Sequence, residues 1–245
     1  MTTRTRTEAA VVFGDVHGNI AALEAVIKDM TDRGLPGDRY CLGDLVGYGP
    51  FPNDVVEFVR EREFPTITGN YDEGVGANSD DCGCAYQTET ARRLGDRSIA
   101  GTNDAIWPEN RAFLAGLPEE IRFELGDLTV LLVHGSPRRV NEYLYADRPV
   151  ETFERLLDAA DADVLVCGHT HKPYHKSLES GRHVVNAGSV GKPKDGDPRA
   201  CYVVLGAEGT DLDVTFHRVG YDVERAATAI EDSEMPDEFA AMLRT

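Results

Sequence analysis

Aspartate, asparagine and histidine residues follow apolar, strand-like segments at five places in this 245-residue sequence, and nearly all of them adjoin a glycine. They are Asp15 and His17, Asp44, Asn70, His134, and His169 with His171. Side chains two positions apart in an extended segment face the same side, and glycine allows the sharp turn that brings each of them into a crevice. Carboxylate and amide oxygens with imidazole nitrogens suit divalent metals, and two such ions about 3.5–4 Å apart promote displacement at phosphorus. We therefore predict a two-metal site for phosphoryl chemistry.

The elements that position these residues are short β-branched strands alternating with segments of helical period. The predicted strands are 10–13, 40–42, 65–68, 121–125, 128–133, 164–167, 182–186, 200–205 and 212–218, and the predicted helices are 19–33, 52–63, 103–114, 150–160, 222–230 and 236–243. Alternation of this kind predicts an α/β fold with functional loops at the carboxyl ends of strands. We find no repeat or linker, and expect a single domain over 1–245 built of two sheets with flanking helices.

Two segments depart from the alternation. The polar, glycine-rich stretch 72–101, with a helical patch at 86–94, predicts a lid-like excursion over the site, because long irregular insertions in compact domains are often functional. The chain is expected to end in a helical tail at about 221–245.

The charge balance narrows the range of partners. With 43 acidic and 25 basic side chains, the formal net charge is −18. Such a surface would repel duplex nucleic acid, whose binding depends on Lys and Arg, and an anionic membrane. An Asp-rich, Lys-poor surface stays soluble where the Debye length falls to about 3 Å at 1 M salt, which favours a halophilic protein. An acidic mesophilic protein is the alternative.

The cysteines and the N-terminus favour a cytoplasmic location. Five cysteines are an odd number in a mid-sized chain, so we expect free thiols in a reducing compartment. Cys82 and Cys84 form a lone C-x-C without the second pair that a zinc site needs. We see no signal peptide and no apolar run near the roughly 18 residues that span a bilayer.

The motif order identifies a family resemblance. Read along the chain, D-x-H-G-N, G-D-x-V, G-N-x-D, H-G and G-H-T-H resemble the calcineurin-like metallophosphoesterases from Asp15 to about Val204, closest to their small prokaryotic branch. The resemblance implies a two-sheet β-sandwich flanked by helices. It also implies ligand roles: Asp15, His17 and His171 for one metal, Asn70, His134 and His169 for the other, and Asp44 bridging both. The nucleophile would be a metal-bound hydroxide. Manganese is the expected metal, and iron, zinc or nickel would also suit the ligands.

One position departs from the family pattern. The family usually has G-N-H-D or G-N-H-E, with the histidine assisting the leaving group, whereas this chain has Tyr71 and then Asp72. Tyrosine has a pKa near 10 against about 6.5 for histidine, so it is the weaker general acid at neutral pH. We expect Tyr71 to be catalytic with Asp72 as its orienting partner, and weak activity on esters with poor leaving groups. Packing under the lid is the alternative role for Tyr71.

Substrate contacts are predicted from the first loop and from a basic, glycine-rich loop near the end of the fold. The predicted residues are Asn19, Ser189, Lys192 and Arg199. They would form an anion-receiving rim, although a turn with ordinary solvated lysines would look the same. The expected substrate is a small phosphomonoester, phosphodiester or nucleotide phosphoanhydride. The alternative function is a catalytically attenuated metal-binding scaffold or regulatory module of the same fold. The sequence is compatible with a homo-oligomer.

Overall fold

Nine strands form two sheets in residues 8–35 and 37–244, the part of the chain that this computed structural model describes. The structure does not describe residues 1–7, 36 and 245. The expected single domain includes them, and the expectation of no signal peptide concerns the first of them. The strands are β1 (Ala9–Phe13), β2 (Arg39–Cys41), β3 (Glu120–Leu125), β4 (Leu128–Val133), β5 (Val164–Cys167), β6 (Tyr174–Ser177), β7 (His183–Asn186), β8 (Ala200–Glu208) and β9 (Asp211–Val219). One sheet has the order β2-β1-β8-β9 and the other β3-β4-β5-β7-β6.

Helices flank both sheets. They are α1 (Ile20–Asp32), α2 (Pro52–Glu61), α3 (Asn70–Gly76), α4 (Glu89–Ala105), α5 (Pro108–Ala115), α6 (Val150–Ala160), α7 (Val223–Glu231) and α8 (Asp237–Leu243). Asn19 caps α1, because its side-chain oxygen accepts a hydrogen bond from the Ala22 amide.

The alternation of buried residues along β1 explains the layered packing. Ala10 and Val12 pack between the sheets in one core with residues such as Val130 of β4, whereas Val11 and Phe13 face a second core beneath α1 and α2. A third core lies between the other sheet and α6. The predicted two-sheet sandwich flanked by helices is thereby confirmed.

Parallel pairing gathers the loops that carry the predicted ligands. β1 pairs in parallel with β2, and β5 pairs in parallel with both β4 and β7. The carboxyl ends of parallel strands lie at the same edge of a sheet. The loops after β1, β2, β4 and β5 therefore emerge together.

Three predicted segments differ from the structure, and two elements were not predicted. Residues 65–68 make a single bridge, Cys41 to Thr66 at the end of β2, in place of the predicted strand. The predicted helix 103–114 is split between α4 and α5, since Pro108 holds the preceding Trp107 in an extended conformation. Helix α3 and strand β6 were not predicted. Segment 72–101 is largely helical, formed by the end of α3, a loop and most of α4. Within the described residues, none of the helices has the length and apolarity to cross a bilayer.

Candidate metal centre

The seven predicted metal ligands come together at the shared edge of the sheets. Asp15 and His17 lie after β1, Asp44 after β2, Asn70 at the start of α3, His134 after β4, and His169 and His171 after β5. Each of these residues is at most 3% exposed. Burying so many polar groups is costly unless they are paired or bind a cation, so the arrangement itself points to a ligand.

The loops hold these residues in strained backbone conformations. Asp15, His17, Asp44, His169 and His171 all have positive φ angles, between 50° and 63°. A non-glycine residue in this region costs of order 1–3 kcal/mol, and such residues cluster at functional sites. This backbone conformation directs each side chain back into the crevice immediately after its strand.

Gly69 allows the Asp44 loop to contact the start of α3. A Cβ atom at Gly69 would lie 2.2 Å from both the amide nitrogen and Oδ1 of Asp44. Only glycine fits at this approach, which lets the Tyr71 amide donate a hydrogen bond of 2.9 Å to Asp44 Oδ1.

Asp15, His17 and His171 form the first group of ligand atoms, which lie within 4.8 Å of one another. His17 Nε2 and His171 Nε2 are 3.2 Å apart, and His171 Nε2 is 3.3 Å from Asp15 Oδ1.

Asp44, His134 and His169 form the second group, on the same distance criterion. Asn70 joins it, because its Oδ1 is 3.1 Å from His134 Nε2. The Asn70 amide nitrogen points the other way and donates to the Cys82 carbonyl at 2.9 Å and to Cys84 Sγ at 3.2 Å. The loop before α4 thus orients the Asn70 amide with its oxygen toward the site.

Asp44 connects the two groups. Its Oδ2 atom is 3.5 Å from His17 Nε2 in the first group and 3.4 Å from His134 Nε2 in the second. One carboxylate oxygen of Asp44 is thus within 3.5 Å of a ligand atom from each group.

Backbone carbonyls set the histidine tautomers. Nδ1 of His17, His134 and His171 lies against the carbonyl oxygens of Val46 (3.0 Å), Leu42 (2.8 Å) and Lys192, respectively. A carbonyl only accepts, so Nδ1 carries the proton and Nε2 presents its lone pair to the crevice in the neutral ring. Outer partners of this kind orient metal-binding histidines.

The ionisation of the cluster follows from burial and from the two carboxylates. Burial lowers the pKa of His17 and of His169 to about 3. Burial opposes the proton on His134 too, but Asp44 and Asp15 outweigh it and raise the pKa of His134 to about 9. Burial favours the neutral form of Asp44, yet His134 holds its pKa below the usual range, whereas burial raises the pKa of Asp15. His17 and His169 are therefore neutral, whereas His134 carries a proton that a cation would have to displace from its ring.

Two buried atoms within the cluster have no hydrogen-bond partner among the described residues. They are Asp15 Oδ1 in the first group and His169 Nε2 in the second. An unsatisfied buried polar atom costs about 1–3 kcal/mol, and here each one faces the ligands of its own group. The donor set and the two unpartnered atoms fit one divalent cation in each group.

Comparison with known proteins places the chain in a family. Residues 9–210 match the sequence model of the calcineurin-like phosphoesterase superfamily domain. The chain belongs to the calcineurin-like phosphoesterase superfamily. It is 32% identical over 243 residues to an uncharacterized protein of Methanocaldococcus jannaschii, covering 92% of this chain and 93% of the relative.

Solved structures agree with this membership. The crystal structure of a metallophosphoesterase from Sphaerobacter thermophilus has a TM-score of 0.75 and 31% identity, covering 98% of this chain and 99% of the other. A hypothetical protein from Pyrococcus horikoshii has a TM-score of 0.82 at 22% identity, covering 96% and 97% of the two chains, and shows the same fold.

Tyr71, which stands where the superfamily usually has histidine, is enclosed by other aromatic residues. Its ring is 1% exposed and lies 5.5 Å from the His17 ring and 5.0 Å from the Tyr48 ring, and its hydroxyl is 3.4 Å from the Tyr86 hydroxyl. Burial and the neighbouring Tyr48 raise the pKa of Tyr71 well above its usual value. At neutral pH, Tyr71 is therefore a neutral phenol that can donate a hydrogen bond. Its catalytic role stays a prediction.

Asp72 contacts the backbone of two loops. Its Oδ1 accepts from the Leu45 amide at 2.9 Å and its Oδ2 from the Gly69 amide at 3.0 Å. Burial and the nearby Asp44 raise the pKa of Asp72 to about 7. These contacts differ from the expected pairing with the Tyr71 side chain: Asp72 positions the turns that carry Asp44 and Asn70.

The predicted substrate contacts lie in different places. Asn19 donates to the Gly191 carbonyl at 3.1 Å, and Ser189 Oγ donates to the Asp15 carbonyl at 2.8 Å, so both hold loops of the site together. Lys192 is half-buried, with its ammonium group 3.6 Å from the centre of the Tyr48 ring. Arg199 is exposed and pairs with Asp197 at 2.7 Å, and none of its described contacts reaches the ligands. A substrate role of Arg199 would require its side chain to leave Asp197.

Several residues beside the site carry no motif. Tyr143 packs on His169 with ring centroids 4.1 Å apart. Phe239 of α8 packs on Tyr48 at 5.0 Å. The pair Cys82 and Cys84, judged unremarkable as a lone C-x-C, lies directly behind Asn70. Of these residues, Tyr143 alone could have been found from the sequence, because it follows His134 closely in the chain.

Proposed function

We propose that this protein is a dinuclear metal-dependent phosphoesterase that hydrolyses a small phosphomonoester, phosphodiester or nucleotide phosphoanhydride. The observation that carries the proposal is the position of Asp44 Oδ2 between two buried ligand groups, at 3.5 Å from His17 Nε2 and 3.4 Å from His134 Nε2. Two divalent cations, with Mn²⁺ the first choice and Fe, Zn or Ni as alternatives, would activate water as the nucleophile and neutralise the phosphoryl oxygens.

The chain's own residues supply positioning and electrostatics. Asp15, His17 and His171 would hold one cation, and Asn70, His134 and His169 the other, with Asp44 shared between them. The carbonyls of Val46, Leu42 and Lys192 keep three of the imidazoles oriented for this task. Lys192 and the exposed Lys194 bring positive charge to the rim of a chain whose net charge is −18.

The test uses purified protein loaded with Mn²⁺ and bis-p-nitrophenyl phosphate as substrate. We expect hydrolysis by the wild type and by a His175→Ala control, whose exposed side chain lies outside both groups. We expect loss of at least two orders of magnitude in kcat/KM for Asp44→Ala, together with a metal content below two ions per chain. Equal turnover by wild type and Asp44→Ala would rule the proposal out.

A catalytically attenuated metal-binding scaffold is the second candidate, and Tyr71 is the observation that favours it. A buried phenol with a raised pKa is a poor proton donor to a leaving group. This candidate predicts two bound metal ions with no turnover of even an activated aryl ester.

We also propose that the protein works in the cytoplasm and at high salt concentration. All five cysteines are free thiols, which supports a reducing, cytoplasmic compartment. The excess of acidic side chains supports adaptation to high salt.

A further inference from the structure

An apolar cavity lies beside the first ligand group. It has a volume of about 60 Å³ and lies between the loops that follow β1 and β2 on one side and helices α7 and α8 on the other. His17 and Lys192 line the end nearest the ligands, and Phe239, Ile230 and Leu243 line the apolar part. The cavity is therefore continuous with the surroundings of the candidate metal centre.

Lys192 marks the junction between the two regions. Its ammonium group lies over the Tyr48 ring at 3.6 Å and faces the Phe239 ring at 5.8 Å. Among the described residues, no carboxylate lies within ion-pair distance of this ammonium group, although the protein has a large acidic excess. A lysine side chain packed against aromatic rings, with no carboxylate partner, is placed to receive an anionic oxygen from a ligand.

The far walls are mostly apolar, and their one charged group is the exposed Arg225 of α7, which lies 3.8 Å from Glu24. Ile230, Phe239 and Leu243 present only hydrocarbon to the cavity, and Ala226 and Ala229 of α7 leave room because their side chains are small. A nucleobase would leave its donors and acceptors unpaired against such walls, which costs binding free energy. An alkyl chain gains free energy there by leaving water.

We propose that this cavity is a subsite for an apolar organic group of the substrate, whose phosphoryl group lies at the ligand cluster with Lys192 at its edge. The proposal rests on the proposed phosphoesterase function and narrows its substrate class to phosphoesters that carry an alkyl or similarly apolar group. Helices α7 and α8 lie beyond residues 9–210, the part that matches the superfamily domain. Selectivity would then come from these C-terminal helices.

The test measures binding of phosphonates to the metal-loaded protein by calorimetry. Phosphonates have a C–P bond in place of the ester, so their binding does not depend on turnover. We expect hexylphosphonate to bind at least about tenfold more tightly than methylphosphonate, since burying two methylene groups is worth about that factor.

Variants of α7 provide matched controls. Ala229→Phe should fill the cavity and bring the ratio of the two affinities close to one, while methylphosphonate binding stays intact. Ala229→Leu, a smaller change, should reduce the ratio partially if the phenylalanine variant folds poorly. Thr228→Phe places the same bulk on the exposed neighbouring position, so its ratio should match that of the wild type.

The outcomes separate this inference from the proposed function. Equal affinities for the two phosphonates in the wild type, or a ratio unaffected by either Ala229 variant, would overturn the subsite. Tighter binding of adenosine monophosphate than of hexylphosphonate would also overturn it. Absence of ester hydrolysis with the preference for hexylphosphonate retained would instead count against the phosphoesterase function alone.

Discussion

The Nε2 atoms of His17 and His171 lie 3.2 Å apart in a fully buried site, and the two rings are stacked. Each ring donates its Nδ1 proton to a carbonyl oxygen, of Val46 and Lys192 respectively, so neither Nε2 can donate to the other. Burial lowers the pKa of both imidazoles, which keeps the rings neutral at pH 7. Two unprotonated nitrogens this close repel each other, and a cation bound to both would remove that repulsion.

From this relationship we expect His171→Ala to lose one metal ion and keep the other. The second group, around Asp44, His134 and His169, has its own ligands and its own orienting carbonyl. Metal content measured by mass spectrometry should fall from two ions per chain to one, with kcat/KM reduced at least about 100-fold. His175→Ala should keep two ions. Two ions retained by His171→Ala would show that His171 is not a ligand.

Metal binding should strengthen as pH rises. In the metal-free protein His134 has a pKa of about 9, so below pH 9 its ring carries a proton that must leave before Nε2 can bind a cation. Affinity should therefore increase about tenfold per pH unit for this one proton and level off above pH 9. Titration calorimetry in two buffers of different ionisation enthalpy would detect the released proton near pH 7. An affinity that is flat between pH 6.5 and 9 would contradict the assignment of His134.

Replacing Tyr71 tests its place in the reaction. We expect Tyr71→His to raise kcat/KM on an alkyl phosphate, which has a poor leaving group, by up to about 100-fold, because an imidazole with a pKa near 6.5 is the better proton donor. Hydrolysis of p-nitrophenyl esters should change little, since their leaving group needs no proton. Steady-state kinetics on the alkyl ester and the p-nitrophenyl ester give kcat/KM for each, and the ratio of the two values is compared between Tyr71→His and the wild type.

Tyr71→Phe is the matched control for the hydroxyl group. It keeps the ring that packs against His17 and Tyr48 and removes only the phenol oxygen. A selective loss on alkyl esters supports a proton-donating Tyr71. Unchanged kinetics on both esters would assign it to packing.

The ligand loops could be predicted from sequence because their signals are local. Asp15, Asp44 and His134 each follow an apolar run that terminates at or near a glycine, and parallel strands gather such positions at one edge. Other features depend on distant contacts. Asp72 bonds to the amides of Leu45 and Gly69, which is a consequence of tertiary approach that no spacing reveals.

The elements that sequence reasoning missed or misplaced also depend on contacts that spacing does not reveal. Strand β6 has a half-exposed, mixed composition, and among the described strands it pairs with β7 alone, at the edge of its sheet. Helix α3 starts at Asn70 with the Asp72 side chain bonded to the Gly69 amide, an interaction formed within a glycine-rich segment of low helix propensity. The cavity wall of Phe239 and Ile230 depends on how α7 and α8 dock, which helical periodicity does not determine.

Gly69→Ala should disrupt the candidate metal centre from the backbone. The added Cβ would lie 2.2 Å from Asp44 N and Oδ1, so the Asp44 loop must move away from α3. We expect a loss of about 1–3 kcal/mol in the free energy of unfolding and a lower metal content, because Asp44 is shared by both groups. Gly220→Ala is the control, since no atom lies within 4 Å of its added Cβ. Chemical denaturation and metal analysis of the two variants make the comparison, and equal behaviour would contradict the close approach at Gly69.

The stability of the protein should increase with salt concentration. Its 18 excess negative charges repel one another in the folded state, and that repulsion is screened as the Debye length shrinks from about 10 Å at 0.1 M to about 3 Å at 1 M. Exposed ion pairs such as Arg244 with Glu224 lose attraction under the same conditions, but each contributes at most about 1 kcal/mol. We expect the Tm to rise by several degrees between 0.1 and 2 M KCl in differential scanning calorimetry. Sucrose at matched osmolality controls for excluded-solute effects, and a Tm that falls with KCl would contradict adaptation of this surface to high salt.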